Sequence, residues 1–136
     1  MKKIWTLAAV ALMMLPLALR AQEQEQPKMN KKNLVVKEWN TDARGSHKVL
    51  DHMTTYNSEG KKIEEIEYNT EGQKWRKRYE YDASGRLSKE LVYDNRNKLQ
   101  TYKTFEFNEF AKKKVQYTYN AKGKLIGIKQ FEYIAQ

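Results

Sequence analysis

The chain has 136 residues, 26 of them basic and 17 acidic, for a formal net charge of +9, and it contains no cysteine. That length suits one modest domain with a single core, and the missing thiols exclude disulfides, a thiol nucleophile and a cysteine-linked lipid anchor. Positive and negative residues alternate along the chain, so the basic excess reads as solvated surface rather than one basic block.

Lys2 and Lys3 precede an apolar run, Ile4 to Leu19, that is followed by Ala21 and a polar stretch. This pattern predicts a secretory signal over 1–21, cleaved after Ala21, with no stable membrane span left afterwards, because the run falls short of the roughly 20 residues a span needs. Removing Lys2, Lys3 and Arg20 leaves 23 basic against 17 acidic groups, a net of about +6. Residues 22–32 are polar and without period, which predicts a flexible lead into a domain over 33–136.

Leu34 to Asn40 and Val49 to Tyr56 read as strands joined by an irregular loop, because Gly45 lies two residues later than a tight turn after Trp39-Asn40 would want. From there a repeat takes over. Tyr56-Asn57, Tyr68-Asn69, Tyr81-Asp82, Tyr93-Asp94, Phe107-Asn108 and Tyr119-Asn120 recur every 12 to 14 residues. Four residues after each aromatic stands Gly60, Gly72, Gly85, Asn97, Ala111 or Gly123. The Asn or Asp accepts backbone hydrogen bonds and opens a turn, and the glycine or Asn97 takes the left-handed conformation that closes it. Ala111 departs from this chemistry, so its turn is expected to be less regular or strained. Lys61, Gln73, Arg86, Lys98, Lys112 and Lys124 follow each closing position.

One strand and one turn fill each repeat, and tight hairpins join antiparallel neighbours. The expected fold is all-β, a sequential antiparallel meander of seven or eight strands in a single curled sheet. Nothing beyond the signal reads as a helix. Counting back from each aromatic predicts one apolar face, with Ile66, Tyr68, Trp75, Tyr79, Tyr81, Leu91, Tyr93, Phe105, Tyr117 and Tyr119. Glu67, Arg78, Glu80, Glu90, Thr104 and Glu106 would line a wet face. Lys77, Lys89, Lys103 and Lys129 interrupt the apolar side, so curling, self-association or a partner is expected to cover it.

The aromatic-Asn/Asp-x-x-Gly-Lys/Arg unit, best seen in Tyr81-Asp82-Ala83-Ser84-Gly85-Arg86-Leu87 and in Tyr119 to Leu125, resembles the YD repeats of the RHS family. It is similar also to small exported repeat proteins of Bacteroides-type bacteria. The resemblance spans residues 56–133 and implies a β-repeat fold and an exported location, with no catalytic residues.

For chemistry, His47 and His52 with Asp42 and Asp51 are the one candidate metal cluster, and their spacing places the histidines on opposite strand faces. Adjacent Glu64 and Glu65 likewise diverge, and there is no nucleophile elbow or phosphate loop. No catalytic residue, cofactor or metal is therefore expected. The expected role is a non-enzymatic binding or structural module, periplasmic or secreted. Its binding face would hold Trp75, Lys77, Tyr79, Tyr81, Lys89, Tyr93, Lys103 and Phe105, facing a protein or an envelope glycan. A polyanion-binding protein and a small glycan-acting enzyme are the alternatives, and nucleic acid is not an expected partner.

Overall fold

The computed structural model describes residues 25–136. The signal 1–21 and the first residues of the lead lie outside the described residues. Eight strands follow in chain order: β1 (Val35–Asn40), β2 (Val49–Tyr56), β3 (Lys62–Asn69), β4 (Gly72–Tyr81), β5 (Leu87–Tyr93), β6 (Leu99–Phe107), β7 (Lys113–Asn120) and β8 (Leu125–Gln130). They form one antiparallel sheet in the order β1 to β8, open at both edges. Only successive strands touch. Among the described residues no helix is long and apolar enough to cross a membrane.

The turns behave as their residues dictate. In the β2–β3 connection the Asn57 amide donates to the Lys61 carbonyl at 2.8 Å, and Gly60 donates to Asn57 at 3.0 Å. The Asn57 side-chain oxygen accepts from the amides of Glu59 and Lys61, at 2.9 and 3.0 Å. Asp82, Asp94, Asn108 and Asn120 repeat both pairs of bonds. Asn69 differs, because its turn is drawn into the ladder and Asn69 pairs directly with Gly72.

Ala111 keeps every one of these bonds and adopts φ +57° to do so. The expected irregularity is therefore absent from the hydrogen bonding and resides in backbone strain. The long β1–β2 loop also contains the turn. Asp42 accepts from Gly45 through its carbonyl and from Arg44 and Ser46 through its side chain, the arrangement of Asn57 moved two residues along.

Sheet register overturns the single apolar face. Residues directly opposite one another share a face, and each hairpin from β2 to β8 skips one residue in a bulge. Tight turn and bulge together shift the parity at nearly every hairpin, so the aromatic ending one strand points opposite to that ending the next. Tyr56, Tyr81 and Phe107 lie on a first face with Trp75, Lys77, Tyr79, Lys103 and Phe105, and with Glu65, Glu67, Glu90 and Thr118. Tyr68, Tyr93 and Tyr119 lie on the second face with Ile66, Arg76, Arg78, Leu91, Tyr102 and Tyr117.

Among the described residues no second layer covers either face. Ile66 is the one buried hydrophobic residue among those described, at 8% exposure, and Thr54 the one buried polar residue. Long side chains take the place of a second layer by lying over rings. Among the described residues nine Lys or Arg groups sit 4.5 to 5.6 Å from an aromatic centroid. Globular proteins show about one such contact per 70–80 residues, so here the cations are the cover.

Candidate functional site

The first face holds most of the expected binding residues. β4 runs through its middle and presents Trp75, Lys77, Tyr79 and Tyr81 at alternate positions. β6, two strands away, adds Lys103 and Phe105 on the same side. Lys89 and Tyr93 belong to the second face. There Lys89 lies 5.5 Å from the Tyr102 ring and Tyr93 lies beneath the Arg76 guanidinium at 4.7 Å. The turn residues Asn57, Gly60, Asn69, Gly72, Asp82, Gly85, Asn97, Asn120 and Gly123 all stand at the sheet ends.

Around Trp75 the surface is a linked array of charges and rings. The Lys77 ammonium is 5.0 Å from the indole, and the His52 ring meets the indole edge-on at 5.9 Å. Glu90 lies between two cations, Lys77 at 4.0 Å and Lys103 at 3.9 Å. On the other side of β4, Glu65 ion-pairs with Lys62 at 3.0 Å, lies 3.7 Å from His52, and accepts a hydrogen bond from the Tyr79 hydroxyl.

Partial burial would raise the Glu65 pKa. The Tyr79 hydroxyl and Lys62, which hydrogen-bond the carboxylate, and the charges of Lys62 and His52 outweigh that effect and hold it below the usual carboxylate range. Burial and then the bond to Glu65 push the Tyr79 hydroxyl well above its ordinary value. Burial also raises Tyr81, whose hydroxyl donates to the Lys62 carbonyl at 2.6 Å.

Every carboxylate near Trp75 thus has a cation or hydrogen-bond donor, with Glu67 held by Lys74 at 3.3 Å. The surface offers ring faces, ring edges and ammonium groups on a flat support, and no cavity opens among the described residues. Such a surface suits contact with a partner of comparable breadth. The two histidines part company, His47 lying 4.0 Å from Asp42 and His52 turning to Glu65. No group of three metal-ligating side chains forms among the described residues.

Sequence reasoning missed the Glu65–His52–Trp75 connection, since these residues sit on three strands and only the register unites them. Asp42 was legible, because Asp42-x-x-Gly45 has the spacing of Asn57-x-x-Gly60.

Fold and surface define a single-layer β-meander with cation-covered aromatics. No protein-family profile matches the chain, and no curated protein matches it in sequence. Among solved structures it is similar to accessory secretory protein 1, 2 and 3 of Streptococcus pneumoniae, at 16% identity and a TM-score of 0.34, over 71% of this chain and 17% of that one. A GtfA/B complex bound to UDP and GlcNAc matches at 12% identity and a TM-score of 0.29, over 69% of this chain and 19% of that one. The chain spans less than a fifth of either, and likeness at this level carries no functional argument.

Proposed function

We propose that the protein is an exported, YD-repeat-like, non-enzymatic module that binds a protein or glycan of the cell envelope through its first face. The supporting observation is the row Trp75, Lys77, Tyr79, Tyr81, with Lys103 and Phe105 beside it, on a face that no second layer covers among the described residues. Flat aromatic-cation surfaces gain contact area at a reduced ordering cost, since the ladder already fixes the backbone that presents the rings. We favour binding over catalysis because Glu65, Glu67 and Glu90, the carboxylates around Trp75, are committed to ion pairs, on a face with no cleft among the described residues.

Capture of the tagged protein from the envelope of the producing cells, with crosslinking and mass spectrometry, tests the reading. Crosslinks from this face to one component should disappear in Trp75→Ala and Lys77→Glu proteins that retain the wild-type circular dichroism. Capture that survives both substitutions, and Tyr79→Ala as well, sinks the first face as the binding surface.

A further inference from the structure

We propose that the corner of the sheet formed by the β5–β6 and β7–β8 turns docks on an anionic phospholipid surface. This goes beyond the first-face reading and does not depend on it. The two turns project from the same sheet end and are two strand spacings apart, about 10 Å. They carry Arg96, Lys98, Lys122 and Lys124, all exposed, and none of the four has an ion-pair partner among the described residues.

One carboxylate lies among them, Asp94, and it is already engaged. Its Oδ1 accepts from the amides of Arg96 and Lys98, at 2.8 and 2.9 Å, and its Oδ2 from Gln100 at 3.1 Å. The next carboxylate along that rim is Glu71, on the β3–β4 turn. The opposite end of the sheet differs. There Lys61 pairs with Glu59, Lys62 with Glu65 and Arg86 with Asp82, and the Lys112–Lys114 run shares its corner with Glu109 and Glu132.

Directly after Lys124 come Leu125 and Ile126, 42% and 55% exposed, with Ile128 at 58%. Ile126 is the residue that the β7–β8 bulge skips, so it has no cross-strand neighbour, and β8 is an open edge. Unpaired cations beside exposed aliphatic side chains match the phosphate layer and acyl boundary of a bilayer. A polysaccharide would use the cations and leave the aliphatics without a role, because sugar rings stack on aromatic faces.

The chain has no cysteine, so single labels are clean. Ala121→Cys marks the β7–β8 turn and Ser58→Cys the equivalent position of the β2–β3 turn at the other end. Each full-length protein carries an environment-sensitive fluorophore and is titrated with vesicles of phosphatidylcholine containing 30% phosphatidylglycerol, or of phosphatidylcholine alone. The Ala121 label should shift to the blue with anionic vesicles only, and the Ser58 label should not. Each surface cation contributes about fivefold to partitioning, so Lys122→Gln with Lys124→Gln should weaken it about 25-fold. Ile126→Ser should reduce the shift without altering the unfolding midpoint.

Equal shifts at both labels would mean that the apolar N-terminal run holds the chain to the vesicle in any orientation, and would overturn the proposal. So would equal shifts with neutral vesicles, no shift at all, or a response of the Ala121 label to heparin but not to vesicles.

Discussion

The Lys61 ammonium donates a 2.7 Å hydrogen bond to the carbonyl of Gly85, the glycine that closes the next turn on the same sheet end, and lies 5.3 Å from the Tyr81 ring. Gln73 does the same at the other end, donating to the Asp94 carbonyl and to Asn97, each at 2.8 Å. The residue following Gly60, and likewise the one following Gly72, thus serves as a strut between turns that are not adjacent in sequence. This accounts for the long polar residue at that place in those two repeats.

Lys61→Ala should cost about 1–2 kcal/mol, since it removes a charge-assisted hydrogen bond and a ring contact at a partly exposed site. Gly85→Ala should cost at least as much, because the glycine has φ +80° and an added Cβ would displace the Lys61 ammonium. Lys112→Ala, at the same repeat position with no strut, should stay within about 0.5 kcal/mol of wild type. Urea unfolding followed by far-ultraviolet circular dichroism compares the three.

Ala111 supplies the complementary case. It holds φ +57° without being glycine, at a cost of roughly 1–2 kcal/mol that glycine's greater unfolded-state freedom partly offsets. Ala111→Gly should raise stability by about 1 kcal/mol, and Ala111→Val should lower it by more than that. Thermal unfolding of the pair decides the sign.

Stability should fall at both ends of the pH range. The Asp82 pKa is lowered by hydrogen bonds from Ser84 and from the Arg86 amide, and the Asp94 pKa by those from the Lys98 and Arg96 amides. Groups depressed on folding contribute above their unfolded pKa, near 4, and that contribution is lost as pH falls through the folded value. Glu65 acts in the same direction. Asp82→Asn should therefore flatten the acid limb, because Asn57 caps the equivalent turn without a charge.

Tyr79 and Tyr81 have the opposite sign. Their raised pKa values give stability that is complete below the unfolded value, about 10, and lost as pH rises beyond it. Tyr79→Phe should flatten the alkaline limb. In the wild-type protein, phenolate absorbance at 295 nm from Tyr79 should appear only with unfolding.

Ile66 should be the most sensitive aliphatic position. It is the one buried hydrophobic residue described, lying between Met53 and Arg76 on the second face. Ile66→Ala should cost about 2–3 kcal/mol, near the low end for core truncation because the neighbours are flexible and can settle into the gap. Ile128→Ala, on the exposed edge strand, should cost less than about 1 kcal/mol by the same unfolding measurement.

Several features of this protein were determined locally and could be read from the chain. Strand number, turn positions and antiparallel order follow from Asn or Asp opening a turn and glycine or asparagine closing it, chemistry confined to five consecutive residues. The Asp42 turn obeyed the same rule and was hidden only by its offset from Trp39. Which side chains share a face was decided by the tertiary structure. A strand's alternation says that Tyr79 and Glu80 oppose each other, but not whether Tyr79 sits with Tyr68 or with Glu65. The bulge in each hairpin makes that choice, since skipping one residue exchanges the faces of the whole following strand. For that reason the single apolar side became two mixed faces, and Trp75, Glu65 and His52 came together from three strands. Burial followed the same logic. With its aromatics divided between two sides, the sheet is covered by the stems of its own lysines and arginines, and Trp75 and its neighbours are half-buried beneath them.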